Sequence, residues 1–260
     1  MIIKLLYYNI FGVDNIVIVL GSRRSKTTAK AISRKIGAHY TESNIPETNE
    51  FIIRYGNSYV NDPNDFILNT KRSVQISSNK PKTKKLLIEN NISTPKLISF
   101  EDVISGNCNF PVIVRKNRHF KGKYFYVCDN SLSVCRFDPN NYYIQEMVNK
   151  IDEFRLFILK DKIIEANIKR CPSPNIMIRN KENGCFFARI RVSELPIELK
   201  NNARKAMKEI GLDFGAIDCA TIKDDNDNIV TTIFEVNSAP GLIPRKIDLL
   251  VSKLTELEII

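Results

Sequence analysis

Two apolar segments near the C-terminal end of the chain carry carboxylates within them, and this pattern restricts the fold more than any other feature. Asp218 lies inside the apolar run 214–222. Glu235 is the second-last residue of the run 229–236, and Asn237 follows that run. A short polar stretch separates the two runs and predicts a turn, so the runs are predicted to pair as neighbouring strands. Asp218 is therefore expected to lie close to Glu235 and Asn237.

These three side chains together predict a metal site. Side chains alternate along a strand, so Glu235 and Asn237 point to the same face. Two carboxylates and an amide oxygen suit Mg²⁺ with bound phosphates, and burying both carboxylates without a cation is costly. The competing interpretation has Asp218 facing solvent beside an ordinary strand end. The rigid turn at residues 238–241, which fixes the backbone of Asn237, favours the metal site.

The N-terminal part of the chain has the alternation that is typical of an α/β lobe. Residues 16–20 predict a buried strand, and residues 25–36 predict a helix with Ser25 as its N-cap and Gly37 as its C-terminal stop. Residues 51–55 predict a second strand. Further helices are predicted at 82–89 and 196–210, and further strands at 111–115, 124–128, 142–148, 154–159 and 162–167.

Composition restricts the partners. Hydrophobic content of 43% and charged content of 26% are typical of a soluble globular protein. No apolar run approaches the roughly 18 residues that span a bilayer, so no membrane partner is expected. The net charge of +10 favours polyanions and leaves nucleic acid open as a partner, although a solvated basic surface explains the same charge.

The cysteines give no sign of a zinc site, because none form a C-x-x-C pair and the histidines lie far from them. They are predicted to be unpaired, mostly buried thiols in a reducing compartment, here the cytoplasm. The six are Cys108, Cys128, Cys135, Cys171, Cys185 and Cys219.

The C-terminal motifs resemble those of the ATP-grasp superfamily. Residues 234–241 are similar to the family's metal-binding segment, and residues 211–218 are similar to the strand that supplies the remaining metal-binding aspartate. The resemblance covers about residues 79–245. It implies an α/β fold in which two α+β lobes clamp ATP behind a small N-terminal α/β lobe. It also implies that Asp218, Glu235 and Asn237 hold one or two Mg²⁺ ions, with Mn²⁺ as a substitute.

The same resemblance implies a set of nucleotide-binding residues. Arg115 stands where a phosphate-binding Lys is usual; it keeps the charge, and Lys116 is the alternative candidate. Residues 116–123 take the place of the phosphate-covering loop, although an ordinary basic hairpin turn explains them equally. Glu146 is matched to the adenine amine and Glu153 to the ribose hydroxyls. The full set is Lys80, Arg115, Lys116, Lys121, Gly122, Lys123, Glu146, Met147, Val148 and Glu153.

Arg170 and Arg179 fall where peptide-forming members similar to RimK-type glutamate ligases keep reactive-centre residues, and Asn180 is expected to join the metal shell. The arginine that D-alanine–D-alanine ligases place two residues before the metal aspartate is replaced by Ala216. This difference favours a RimK-like or phage-type branch. The implied lobes are residues 1–77, a central lid lobe at 78–142, and a C-terminal lobe with the metal site at 143–260.

The resemblance implies a ligase that couples a small-molecule or peptide carboxylate to an amine through an acyl phosphate, releasing ADP and phosphate. Two alternatives stay open from the sequence. One is an ATP-dependent phosphotransferase on the same fold, and the other is a non-enzymatic basic module that binds nucleic acid. The sequence predicts neither the substrates nor the oligomeric state.

Overall fold

A computed structural model of the chain describes residues 17–45, 48–119, 123–173, 176–179, 181–224 and 226–260, without the side chain of Lys181. The chain divides into two compact units. The first comprises Met1–Lys71 together with Gly241–Ile260, and the second comprises Arg72–Pro240. The division into three lobes at 77/78 and 142/143 stays a prediction.

Helices and strands are interspersed along the chain. The helices are α1 (Lys26–Ile36), α2 (Lys71–Ser78), α3 (Lys80–Glu89), α4 (Phe100–Ile104), α5 (Ser131–Val134), α6 (Ile197–Ile210) and α7 (Pro244–Glu256). The strands are β1 (Val17–Gly21), β2 (His39–Thr41), β3 (Phe51–Tyr55), β4 (Ile67–Leu68), β5 (Leu97–Ile98), β6 (Val112–Lys116), β7 (Phe125–Cys128), β8 (Tyr142–Glu146), β9 (Lys150–Leu159), β10 (Lys162–Arg170), β11 (Phe186–Ile190), β12 (Phe214–Lys223) and β13 (Ile229–Asn237). Short 3₁₀ turns lie at Lys181–Asn183 and Val192–Glu194.

The first unit is built on a parallel sheet in the order β2-β1-β3-β4. β1 is buried along its whole length, as its continuous apolar sequence predicts. Gly37 ends α1 in the left-handed conformation, at φ 69°, as predicted. Ser25 lies at the N-cap position of α1, as predicted, but its side chain caps no helix N–H. Its Oγ donates instead to the carbonyl oxygen of Tyr55 at 2.6 Å.

The second unit contains two antiparallel sheets. The smaller has the order β5-β8-β6-β7, and its apolar face forms a core around Val112, Val114 and Ile144. The larger has the order β11-β10-β9-β12-β13. One face of the larger sheet packs on α6 through residues such as Leu156 and Ile217, so its other face is left for polar side chains.

A β-bulge shifts the pairing of the predicted acidic hairpin. From Lys223↔Ile229 to Cys219↔Ile233 the register of β12 and β13 is regular, and a regular continuation would place Phe234 opposite Asp218. The irregularity after Cys219 places Glu235 opposite Asp218 instead. The bulge therefore turns Glu235 toward the same face of the sheet as Asp218.

The prediction that all the cysteines are unpaired thiols is wrong for one pair. Cys171 and Cys185 form a disulfide. Arg170 and Phe186 are cross-strand partners at the ends of β10 and β11, so the residues that follow and precede them meet directly. The remaining cysteines are free thiols, at Cys108, Cys128, Cys135 and Cys219. Over the described residues, no helix combines the length and apolar character needed to cross a membrane.

Candidate active site

The open face of the larger sheet carries a line of polar residues that are paired directly across the strands. Arg189 on β11 is opposite Asn167 on β10, which is opposite Arg155 on β9. Arg155 is opposite Asp218 on β12, and Asp218 is opposite Glu235 on β13. Directly paired residues project to one face, so this cross-sheet row brings two carboxylates and two guanidinium groups onto a single surface.

Arg155 binds the Asp218 carboxylate with two hydrogen bonds. Its Nε donates to Oδ1 at 2.7 Å and its Nη2 donates to Oδ2 at 2.6 Å. The Asp218 side chain is only 9% exposed. This is a bidentate, charge-assisted pair on a largely desolvated carboxylate.

Lys80 makes the corresponding contact with Glu235. Its Nζ lies 2.9 Å from Glu235 Oε1 and also donates to the carbonyl oxygens of Ser77 and Val236, each at 2.9 Å. Lys80 begins α3, whose N-cap Asn79 accepts a hydrogen bond from the Lys82 backbone N–H. The start of a capped helix thus holds the ammonium group against the acidic end of β13.

Neighbouring cations keep both carboxylates ionised. Burial by itself raises the pKa of Glu235, but the charges of Lys80 and Arg115 outweigh it and lower that pKa to about 2. Burial likewise opposes ionisation of Asp218, and Arg155 and Lys169 lower its pKa below the usual value. The site therefore holds two negative charges at neutral pH.

Glu153, predicted to bind ribose, lies on β9 two positions before Arg155, so it is on the same face of the sheet, and it is buried. Its carboxylate accepts a hydrogen bond from Lys150 Nζ at 2.8 Å and forms an ion pair with Lys169. Lys150 also donates to the Met177 carbonyl oxygen at 2.8 Å. Two lysines thus surround this carboxylate.

A buried basic cluster lies beside Glu235. Arg115 Nη2 is 2.9 Å from His119 Nδ1, and His119 Nε2 is 3.3 Å from the Tyr143 hydroxyl. Burial, followed by the charge of Arg115, lowers the pKa of His119 to about 3. Lys84 is also buried, donates to Thr94 Oγ1 at 2.9 Å, and has its pKa lowered to about 7, mainly by burial.

The predicted adenine-binding residues lie at the end of β8. The Glu146 carboxylate accepts a hydrogen bond from the Lys96 backbone N–H at 2.8 Å, and Met147 and Val148 follow it, partly buried, outside any strand. Lys116 places its ammonium 4.9 Å from the centre of the Tyr124 ring, and Lys123 is exposed. Three predicted site residues lie outside the described part of the chain, namely Lys121, Gly122 and Asn180.

The two predicted catalytic arginines are held differently. Arg170 lies 3.6 Å from Asp152 and its side chain is 55% exposed. Arg179 donates to the backbone carbonyl oxygens of Lys150, at 3.2 Å, and Ile151, at 3.4 Å. The segment that carries Arg179 is therefore attached to the beginning of β9. The functional roles of all the predicted site residues stay predictions.

The donor set suits a hard divalent cation. Among the described residues, no three His, Cys, Asp or Glu side chains are grouped closely enough to hold a metal, so the third protein ligand would be the Asn237 amide oxygen. Its Oδ1 is 3.5 Å from Lys80 Nζ and its Nδ2 is 3.3 Å from Asp218 Oδ2. With this amide turned over, its oxygen would face Asp218, and Asp218, Glu235 and Asn237 would then offer only oxygen atoms to a cation.

The solved structures to which this chain is similar include ATP-grasp ligases. A D-alanine–D-alanine ligase from Bacillus anthracis is 17% identical, covers 94% of this chain and 95% of its own, and superposes with a TM-score of 0.63. The ATP-grasp ligase PsnB, in complex with a minimal precursor, is 12% identical, covers 92% of this chain and 100% of its own, with a TM-score of 0.61. This chain has the ATP-grasp fold.

The predicted α/β class and the superfamily resemblance are confirmed at the level of the ATP-grasp fold. PsnB has also been solved with Mg and ADP, and the Bacillus anthracis ligase with ATP. Both ligases match the chain about equally well, so the RimK-like branch stays a prediction. No protein-family model matches the sequence, and none of the curated proteins matches it.

Sequence reasoning missed Arg155, Lys150 and Lys84. A signal for Arg155 was present, because it lies in the predicted strand 154–159 and only two positions after Glu153, a spacing that puts both side chains on one face of a strand. Recognising its partner required the register between β9 and β12, which the sequence does not reveal. Lys84 resembles an ordinary helix-surface lysine in sequence, and only the packing around α3 buries it.

Proposed function

We propose that the chain is an ATP- and Mg²⁺-dependent ligase that joins a carboxylate to an amine. The observation that carries the proposal is the pairing of Asp218 with Glu235 at the polar end of the cross-sheet row, with Asn237 beside them, on an ATP-grasp fold. The PsnB complexes with precursor peptide and AMPPNP support a peptide as one class of substrate. The same comparison supports the ligase over a nucleic-acid module.

The reaction consists of two displacements. An oxygen of the substrate carboxylate attacks the γ-phosphorus of ATP, the bond to the β–γ bridging oxygen breaks, and ADP leaves. The amine nitrogen then attacks the carbonyl carbon of the acyl phosphate; phosphate leaves and the nitrogen loses a proton. The free energy of ATP cleavage drives amide formation, so the protein supplies no covalent nucleophile.

The side chains of this chain would orient the reactants and neutralise charge. Asp218, Glu235 and Asn237 would hold Mg²⁺, which when bound offsets the negative charge of the phosphates. Lys80 and Arg115, both close to Glu235, would bind phosphate oxygens. Glu153, positioned by Lys150 and Lys169, would accept hydrogen bonds from ribose.

Substitution of Glu235 tests the metal assignment. Glu235→Gln keeps the shape of the side chain and an oxygen for Lys80 but removes the charge, so we expect ADP release to fall at least about 100-fold. The assay measures ADP release with ATP and Mg²⁺ against pools of carboxylates and amines. Mass spectrometry of the product then separates an amide from a phosphate ester, which would identify a phosphotransferase instead.

Glu194→Gln is the matched control. Glu194 is also paired with a cation, Arg191, at 2.6 Å, but both side chains are exposed. This variant should release ADP at the wild-type rate. Wild-type turnover by a folded Glu235→Gln protein, with folding checked by circular dichroism, would contradict the metal assignment.

A further inference from the structure

The Arg155 guanidinium is hydrogen-bonded to the carboxylate of Asp218, which is also a proposed metal ligand. Both oxygens of Asp218 accept hydrogen bonds from this guanidinium, at 2.7 and 2.6 Å. Asp218 Oδ2 also lies 3.3 Å from the Asn237 amide nitrogen. Oδ1 keeps a second lone pair, so a divalent cation that reached Asp218 there would lie beside the guanidinium and share the carboxylate with it.

Charge makes the two cations direct competitors. Asp218 is nearly buried and needs a positive partner, and Arg155 supplies one. A divalent cation on the same carboxylate would stand close to the guanidinium and repel it. Lys169 adds a further positive charge that acts on Asp218. Metal binding at Asp218 is therefore opposed by groups of the protein itself.

The Arg155 guanidinium also contacts the aromatic ring of Phe187. The centre of the Phe187 ring lies 4.9 Å from Arg155 Cζ and 5.5 Å from Lys169 Nζ. Phe187 on β11 is the cross-strand partner of Lys169 and is partly exposed. Stacking on a ring face does not depend on Asp218, so Arg155 can loosen its carboxylate contact without losing every interaction.

We propose that Arg155 is a positioning residue that competes with the divalent cation for Asp218 and keeps the nucleotide-free site weak for metal. The phosphate oxygens of a nucleotide would act as further ligands and raise the affinity for the cation. The cation and the nucleotide therefore bind together. This inference rests on the proposed function in one respect only, that Asp218 is a metal ligand. It adds a role for Arg155, which was not among the predicted site residues.

The test measures Mn²⁺ binding by the full chain without nucleotide, using the electron paramagnetic resonance signal of free Mn²⁺. Arg155→Gln removes the competing charge and keeps a hydrogen-bond donor for Asp218. We expect its Mn²⁺ dissociation constant to be at least about tenfold lower than that of the wild type. When ADP is added, the difference in Mn²⁺ dissociation constant between Arg155→Gln and the wild type should become smaller.

Arg189→Gln is the matched control for overall charge. Arg189 belongs to the same cross-sheet row but lies two strands away from Arg155, about 10 Å at the usual strand spacing. It removes the same charge without touching Asp218, so Mn²⁺ affinity should stay within about twofold of wild type, given ordinary screening. Equal tightening by Arg189→Gln and Arg155→Gln would overturn the proposal.

Arg155→Lys covers the case in which the Gln variant does not fold. A lysine keeps the charge but cannot make the two parallel hydrogen bonds, so an intermediate Mn²⁺ affinity is expected. Mn²⁺ affinities of Arg155→Gln or Arg155→Lys equal to or weaker than wild type overturn the proposal. If the wild type releases ADP normally in that case, the proposed function stands and only the competition is refuted.

Discussion

His119 links the site to pH. Its pKa is lowered to about 3 by burial and by Arg115, whereas a histidine in an unfolded chain titrates near 6.5. Between these values the unfolded chain binds a proton that the folded chain does not. The free energy of unfolding should therefore fall as pH falls below about 6.5, by up to about 1.4 kcal/mol per pH unit.

Replacing His119 tests this dependence. We expect His119→Gln to flatten the decline in urea-unfolding free energy between pH 6.5 and 5, where Asp218 and Glu235 remain ionised because their pKa values are lowered. His39 is the other histidine of the chain and is exposed, so His39→Gln is the control that should keep the wild-type slope. An unchanged slope in His119→Gln would contradict the burial of a neutral imidazole.

Single residues could be predicted from the sequence where one strand carries the whole signal. Glu235 and Asn237 follow from alternation along one strand. Arg155 could not be predicted in its role, because its meaning depends on a partner 63 positions away. The same holds for Lys80, whose contact with Glu235 joins a helix start to a strand end far along the chain.

At the scale of elements, the bulge in β13 decides whether the site exists. Ile233 and Val236 both lie in the core although they are an odd number of positions apart. Without the irregularity, strict alternation from Ile233 would turn Glu235 toward the core and Val236 toward the polar face. The sequence predicts both strands and their turn. It does not predict that Phe234 is an extra residue of β13, between the partners of Cys219 and Asp218.

Gly215 allows the end of β13 to approach β12. A Cβ at this position would lie 2.8 Å from the Asn237 carbonyl oxygen and 3.3 Å from Met207 Cε. Gly215→Ala should therefore move Asn237, destabilise the fold by about 1–3 kcal/mol, and reduce ADP release. Thermal unfolding and the ADP assay check the two effects separately.

Gly241→Ala is the control for this prediction. A Cβ at Gly241 meets no atom within 4 Å, and its φ is not positive. Its melting temperature and ADP release should match those of the wild type. A Gly215→Ala protein that behaves in the same way would show that β12 and β13 can separate without cost.

The disulfide shows where element prediction ends. Cys171 and Cys185 are 14 positions apart and have no recognisable spacing motif. Their pairing follows only from the antiparallel register of β10 and β11, which the sequence reading did not include, since β11 itself was not predicted. The prediction that these two cysteines are unpaired therefore failed because one strand was missed.

At the scale of the whole molecule, the resemblance of about residues 79–245 to the ATP-grasp superfamily was enough to predict the fold. The net charge of +10 was not enough to predict a partner, because nucleotides and nucleic acid both attract a basic surface. Salt separates these partners, since binding to nucleic acid through many phosphates weakens steeply with salt.

Nucleotide binding should stabilise the folded chain. ADP with Mg²⁺ at 100 times its dissociation constant should add about 2.7 kcal/mol, which is several degrees in melting temperature. The shift should disappear with a chelator and change little between 100 and 300 mM salt, as differential scanning fluorimetry would show. No shift, combined with salt-sensitive binding of single-stranded DNA, would favour the nucleic-acid module.

The first compact unit is assembled from both ends of the chain, since it contains Gly241–Ile260 as well as Met1–Lys71. Helices α1 and α7 belong to it, with Lys35 and Asp248 2.7 Å apart. During synthesis α7 is therefore made roughly 10–40 s after α1 at ordinary ribosome speeds. The whole of the second unit, Arg72–Pro240, is synthesised in that interval. The unit that carries Asp218 and Glu235 can therefore fold before the first unit, whose two segments come before and after it in the sequence.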